Sequence, residues 1–207
     1  MTPDAIFIII VIIFSAIIHE VMHGVAADKL GDPTARYAGR LTLNPIPHID
    51  LYGSIIVPVI LTLTNSPIFF AWAKPVPYNP YNLKPGRFSE AIVAFAGPFS
   101  NIVMAALAAI LVRLHVFGPS MDATFFLIVV INVMLFVFNL IPVPPLDGSK
   151  VLESLLPRNL QHGYSDWRRK LEDNPFIGMA IVLLFIIVFG SQFSSFIYAI
   201  SGVLAGV

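Results

Sequence analysis

The sequence contains no cysteine and few charged residues. Without cysteine, disulfides and thiolate chemistry are excluded, and any metal must be held by histidine, aspartate, glutamate or carbonyl groups. Charged residues make up 12% of the 207 residues, which is about half the share found in soluble domains. Basic and acidic residues balance to a formal net charge of zero, so we expect no nucleic-acid partner.

What the sequence has instead is long apolar runs, in a chain that is 57% hydrophobic. Such runs are typical of membrane helices, which need roughly 20 residues per crossing. We predict an all-α polytopic membrane protein with a single domain, 1–207, and about four to five transmembrane helices in the lipid bilayer. The four clearest helices are predicted at about 5–27, 88–115, 123–141 and 176–204.

A fifth apolar run, about 53–72, is ambiguous because the turn-forming residues Asn65 and Pro67 interrupt it. Each half has only about ten residues, too few to cross a hydrocarbon core of roughly 30 Å as a helix. If this run re-enters, Arg113 is the only lysine or arginine outside the side that carries the others. The positive-inside rule favours that arrangement. We therefore predict a re-entrant hairpin, an N-terminus outside the cell membrane and an active site toward the cytoplasm.

Short β-strands are predicted on both sides of this run. The segment Leu41, Thr42, Leu43 and Asn44 alternates as a strand does. The proline-rich segment 74–78 could form only an edge or extended strand. An exposed strand at Leu41–Asn44 could accept an unwound substrate by strand addition.

The motif H-E-V-M-H at residues 19–23 carries the chemistry. On a helix, His19 and His23 lie one turn apart and about 40° around the axis, so both imidazoles address one point. Glu20 lies at the edge of the same face, where it can take a proton from an attacking water. The alternative is a pair of core histidines bonded to carbonyls.

A catalytic zinc usually has three protein ligands and one open position. Asp147 is a candidate third ligand, because it follows a proline-rich break at the end of an apolar helix and precedes Gly148. A helix-capping aspartate at the membrane surface is the alternative reading.

These motifs resemble those of the site-2 protease family, the M50 peptidases, in its compact prokaryotic form without PDZ or CBS domains. The resemblance rests on H-E-V-M-H, on F-N-L-I-P-V-P-P-L-D-G at 138–148 and on A-G-P-F-S-N at 96–101. It implies one Zn²⁺ per chain, bound by His19, His23 and Asp147, with Glu20 as general base. It also implies transmembrane protein substrates and regulated intramembrane proteolysis.

For four other polar residues the sequence gives weaker evidence of a functional role. Asn139 could stabilise an oxyanion or position substrate, or form an interhelical hydrogen bond. Asn101 could do the same, but lies among small residues that favour helix packing. His48 and Asp50 could form a second metal site, although loop hydrogen bonds are the simpler reading.

Two other functions compete with proteolysis. A metal-ion transporter would also place histidine and aspartate in the membrane, but it has no need of Glu20 and would favour an internal repeat, which the sequence lacks. A catalytically inactive homologue could bind membrane proteins, but the complete H-E-x-x-H motif disfavours it.

Overall fold

The computed structural model describes residues 3–64 and 72–207, and within these ranges the chain folds into helices and loops without a β-strand. Four helices are long: α1 (Pro3–Lys29), α4 (Ser89–Arg113), α5 (Pro119–Asn139) and α8 (Pro175–Ala205). The shorter helices are α2 (Thr34–Tyr37), α3 (Val57–Leu63), α6 (Asp147–Leu155) and α7 (Arg158–Glu172). Two 3₁₀ turns, Ile46–His48 and Pro80–Asn82, and one π-helical turn, Leu51–Ile56, complete the described secondary structure.

Four helical segments have the length and apolar composition needed to cross a membrane. They are Ile6–Lys29, Ser89–Arg113, Met121–Asn139 and Ala180–Ala205. Each coincides with a predicted helix to within a few residues, and the prediction of an all-helical polytopic membrane protein is confirmed.

The described residues form two compact units, Met1–Lys84 and Pro85–Val207, called here the N-terminal and the C-terminal unit. The N-terminal unit combines α1 with short helical elements and irregular loops. The C-terminal unit is a helical bundle with a small-residue core. The prediction that 1–207 acts as one domain stays a prediction.

The predicted β-strands are wrong for the residues that the structure describes. At the first site, the Thr42 hydroxyl accepts a hydrogen bond from the Asn44 amide, and the Asn44 side chain accepts one from the Ile46 amide. Such local side-chain bonds bend the backbone and compete with strand pairing. At the second site, prolines 75 and 77 remove two amides that a ladder would need.

The two ends of the ambiguous run 53–72 lie together. The Trp72 amide donates to the Gly53 carbonyl oxygen over 3.2 Å, and the Ser54 hydroxyl donates to the Trp72 carbonyl oxygen over 2.9 Å. Between them, α3 has only seven residues, about 10 Å of helix. The predicted turn at Asn65 and Pro67 lies outside the described residues.

The C-terminal unit is built around α4, α5 and α8. Ala105, Ala108 and Ala109 of α4 pack with Val129 and Val133 of α5 in a buried cluster. Small side chains let membrane helices approach closely. Their helical spacing therefore explains why α4 and α5 pair along their length.

The sequence predicted no helix between the spans at about 123–141 and 176–204, where α6 and α7 lie. They are amphipathic, with few apolar residues, so a search for long apolar runs passes over them. Arg168 of α7 is 8% exposed and contacts the carboxylates of Glu90, Glu153 and Glu172, which ties α7 to α4 and α6.

Candidate metal centre

The histidines of the H-E-x-x-H motif converge within α1. The Nε2 atoms of His19 and His23 lie 3.0 Å apart, and the two rings meet edge to face with centroids 4.7 Å apart. Both side chains are buried, at 6% and 9% exposure. Glu20 joins them, because one ligand atom from each of the three residues lies within 4.8 Å of the others.

This donor set fits zinc. Two imidazoles and a carboxylate, with no thiolate in the chain, suit a borderline metal such as Zn²⁺. Zinc–nitrogen bonds of about 2.0–2.1 Å in a tetrahedral site hold two ligand nitrogens about 3.3 Å apart. The observed nitrogen separation of 3.0 Å is therefore close to what a shared metal requires.

The carboxylate of Glu20 is held from outside the helix. Its Oε2 accepts a hydrogen bond of 2.8 Å from the backbone amide of Val76. Val76 belongs to an irregular segment, 72–79, more than fifty residues along the chain. The predicted general base is thus oriented by a backbone group as well as by its helix.

Gly24 permits this approach. It lies one helical turn after Glu20, so the two residues share a face of α1. A Cβ atom at Gly24 would lie 2.9 Å from Val76 Cγ1 and 2.6 Å from a methyl carbon of Leu41. Only glycine leaves room for Val76 to lie against the helix while its amide bonds Glu20.

Hydrogen bonds along its length hold the 72–79 segment to other parts of the N-terminal unit. The Lys74 amide donates to the His48 carbonyl oxygen over 2.9 Å. The buried guanidinium of Arg40 donates to the carbonyl oxygens of Lys74 (2.7 Å) and Pro75 (3.3 Å). The Asn79 amide donates to Asp32 over 2.6 Å.

Asp32 is fully buried and gathers donors from two loops. One of its oxygens accepts from the Thr34 hydroxyl and the Asn82 amide group, and the other from the Asn79 backbone. Burial raises the pKa of Asp32, but the hydrogen bonds from Thr34, Asn82 and Asn79 outweigh it and hold the pKa below 3.8. Asp32 is therefore a charged anchor for the loop after α1.

His48 and Asp50 make loop contacts. The His48 Nε2 atom lies 2.9 Å from the Thr42 carbonyl oxygen. The Asp50 carboxylate accepts the amides of Tyr52 and Gly53 and so caps the π-helical turn. These bonds agree with the simpler reading of both residues, in which they hold a loop.

Asp147 lies in the C-terminal unit as the first residue of α6. A Cβ atom at Gly148 would lie 2.2 Å from the Leu140 carbonyl oxygen and 2.6 Å from that of Ile141. Glycine is therefore required where α6 begins against the backbone that follows α5. The role of Asp147 as third ligand stays a prediction.

Asn101 and Asn139 also lie in the C-terminal unit. Asn101 is fully buried and donates to the Asn132 side chain over 3.1 Å, an interhelical bond between α4 and α5. Asn139 donates to the Leu135 carbonyl oxygen of its own helix over 2.9 Å. A part for either residue in oxyanion stabilisation or substrate positioning stays a prediction.

Sequence reasoning missed four residues that build this site: Gly24, Asp32, Arg40 and Val76. One signal was available, since prolines on both sides leave Val76 with the only amide between residues 74 and 78. Nothing in the sequence pattern indicated its partner, because the contact joins Glu20 to a residue 56 positions away.

Comparison of the sequence with known proteins places the chain in a family. YwhC of Bacillus subtilis is 39% identical over 160 residues, which cover 73% of this chain and 69% of that relative. The chain belongs to the M50 peptidases. The sequence model described as Peptidase family M50 matches residues 114–185 of this M50 peptidase.

More distant relatives agree. Rip2 of Mycolicibacterium smegmatis is 31% identical over 145 residues, covering 68% of this chain and 54% of the relative. A protein of Methanocaldococcus jannaschii is 31% identical over 137 residues, covering 66% of this chain and 64% of the relative. All three relatives carry the name of a candidate zinc metalloprotease. No solved structure matches the chain.

The M50 peptidase is therefore a zinc metalloprotease and a multi-pass membrane protein. Its cofactor is Zn²⁺, and its His-Glu-His cluster fits that ion. The predictions of family, enzyme class and cofactor are confirmed.

Proposed function

We propose that this M50 peptidase hydrolyses peptide bonds of transmembrane proteins inside or beside the bilayer. The observation that carries the proposal is the position of the His-Glu-His cluster within α1, in a segment, Ile6–Lys29, that has the composition of a membrane span. A charged residue is costly in such a segment, by about 2.5–3.5 kcal/mol at the centre of a helix on insertion scales. A metal site at this depth favours a substrate that also lies in the membrane.

The zinc ligands in this proposal are His19, His23 and Asp147, one ion per chain. Asp147 suits the role because the first turn of a helix favours a negative charge and because Gly148 fixes where α6 begins. A zinc ion held by these three residues would have one position left for water or substrate.

Glu20 is the general base. When bound, zinc polarises the scissile carbonyl and lowers the pKa of its water to about 7. Glu20 takes a proton from the attacking water and passes it to the leaving nitrogen, so that the amine departs neutral. The Val76 amide bonds only one oxygen of Glu20, Oε2, and the other oxygen can serve this transfer.

A helical substrate must first unwind, because its carbonyl groups are engaged in the helix. The segment Leu41–Asn44 remains a candidate surface for the unwound chain, without a preformed strand. Leu43 is 55% exposed, so this segment offers an apolar side chain to a partner.

The topology follows from the same proposal. The run 53–72 re-enters from the cytoplasmic side, which is supported by the bonds between its ends and by the contact from Arg40 to the Lys74 carbonyl oxygen. Single cysteines at positions 40 and 74, in a chain without native cysteine, should label from the same side. Labelling from opposite sides would overturn the re-entrant arrangement.

The proposed activity is tested by purifying the full chain in detergent with zinc. The probe is a set of fusion proteins, each with one transmembrane helix between two fluorescent domains. The wild type should cleave within or beside the helix, and Glu20→Gln should keep zinc but lose at least about 10²-fold in turnover. Cleavage by Glu20→Gln at the wild-type rate would assign the base elsewhere, and metal flux without cleavage would favour a transporter.

A further inference from the structure

The carboxylate of Glu20 has a support that lies outside the H-E-x-x-H motif. The lysine-proline-valine-proline run at 74–77 contains one amide between its prolines, and that amide bonds the Glu20 carboxylate at 2.8 Å. Because proline has no N–H group, a one-residue shift of the segment would present Glu20 with no donor at all. The register of the segment is therefore tied to the base.

Arg40 fixes that register from the other side. Its guanidinium donates to the carbonyl oxygens of Lys74 and Pro75, the two residues before Val76. Arg40 is 7% exposed, and hydrogen bonds from a buried charged group are about twice as strong as neutral ones. A continuous path therefore runs from Arg40 through the backbone of 74–76 to Glu20.

Packing holds the same contact. Val76 is 6% exposed and its side chain lies over Gly24, one helical turn from Glu20. Two atoms of one residue thus contact one face of α1, the amide at Glu20 and the methyl group at Gly24. A carboxylate that is attached to a helix and also hydrogen-bonded to the backbone of another segment can adopt few orientations.

We infer that Val76 and Arg40 are positioning residues for the general base: the Val76 amide orients Glu20, and Arg40 holds Val76 in register. This inference rests on the proposed function of Glu20. It predicts that loss of one backbone amide slows the chemical step without removing zinc and without weakening substrate binding.

Val76→Pro tests the amide directly, because proline removes the N–H group in a run already flanked by prolines. With a single-span fusion protein that the wild type cleaves, we expect kcat to fall about 10²-fold and KM to change less than about twofold. Zinc should remain at the wild-type amount per chain, which excludes a loss of the site itself.

Two controls isolate the hydrogen bond. Ala73→Pro adds a proline to the same segment at an amide that has no partner among the described residues, and kcat should stay within about threefold of wild type. Val76→Ala keeps the amide and removes only side-chain packing, so its kcat should exceed that of Val76→Pro. Equal losses in Val76→Pro and Ala73→Pro, or no loss in Val76→Pro, would overturn the inference.

Two substitutions, one conservative and one not, test the role of Arg40. Arg40→Lys keeps a donor for one carbonyl oxygen and should retain more kcat than Arg40→Ala, with zinc unchanged in both. Equal kcat in the two variants would remove Arg40 from the path.

Hydrogen exchange gives a readout that needs no turnover. The Val76 amide should exchange faster in Glu20→Ala than in wild type, because its acceptor is gone. Unchanged exchange would overturn the contact itself. Failure of the proposed function has a different signature: the wild type would then not cleave the fusion protein, or Glu20→Gln would cleave it at the wild-type rate, whatever the exchange of the Val76 amide shows.

Discussion

The two compact units of this M50 peptidase use polar groups in different ways. In the N-terminal unit, buried polar side chains such as Asp32 and Arg40 hold irregular backbone around the H-E-x-x-H helix. In the C-terminal unit, alanine and valine side chains form the core. Arginines there fix helix ends: Arg87 donates to the carbonyl oxygens of residues 154–156, and Arg113 to those of residues 203 and 204.

The difference follows from what each unit must position. Carboxylate and imidazole groups need orientation about several bonds, and hydrogen bonds from fixed backbone groups provide it. A bundle that presents one carboxylate at the start of a helix needs only the helix fixed at its ends. Substitutions of these supporting residues should therefore act on catalysis in the first unit and on helix placement in the second.

The largest expected effect is on the metal. His23→Ala removes one of two imidazoles whose nitrogens lie 3.0 Å apart, so the variant should lose most of its zinc and all measurable proteolysis. Zinc is counted per chain by mass spectrometry after purification. Stoichiometric zinc in this variant would remove His23 as a ligand.

Glycine-to-alanine variants compare the two units next. A Cβ atom at Gly148 meets backbone, which cannot move aside, whereas one at Gly24 meets side-chain atoms. We expect Gly148→Ala to lose about 3 kcal/mol of unfolding free energy and Gly24→Ala about 1 kcal/mol. Thermal unfolding in detergent measures both.

Gly163→Ala is the matched control, because that helical glycine has open space around its Cβ position. It should be neutral or gain up to about 1 kcal/mol. Equal stability of the Gly148 and Gly163 variants would contradict the close approach of α6 to the backbone after α5.

The smallest expected effect is a pH dependence from Asp32. Hydrogen bonds from Thr34, Asn82 and Asn79 hold the pKa of Asp32 below 3.8 in the folded protein, against the effect of burial. The charged Asp32 therefore contributes fully to the free energy of unfolding above pH 3.8. This contribution is lost as the pH falls through the folded-state pKa. Asp32→Asn should lose about 1–3 kcal/mol near neutral pH.

The comparison is made by thermal unfolding at a series of pH values, from neutral pH downward through the ordinary pKa of an aspartate. The difference in thermal stability between the wild type and Asp32→Asn should shrink as the pH falls. Asp166→Asn, at an exposed position, serves as control and should follow the wild type. A constant gap between wild type and Asp32→Asn would contradict a charged Asp32.

The long helices could be predicted from the sequence because bilayer thickness sets their length. The short amphipathic helices could not, since α6 and α7 have too few apolar residues to stand out in a chain of long runs. The strands were predicted wrongly because the alternation of apolar and polar residues at Leu41–Asn44 does not determine which hydrogen bonds the backbone forms. The side chains of Thr42 and Asn44 bond nearby backbone instead.

For the site, local spacing was sufficient where the residues share one helix. His19, Glu20 and His23 were predicted from a four-residue period, and the structure brings them together. The supporting residues could not be found in this way. Val76 and Arg40 reach Glu20 through contacts between distant parts of the chain, and no periodicity records such contacts.

The central claim is the proposal that Asp147 completes the zinc ligands provided by His19 and His23. The most direct measurement is the zinc affinity of Asp147→Ala, determined by competition with a chelator, beside Asp166→Ala as control. We predict that Asp147→Ala binds zinc at least about tenfold more weakly and no longer cleaves the fusion protein, while Asp166→Ala matches the wild type. Wild-type zinc affinity in Asp147→Ala would contradict the account.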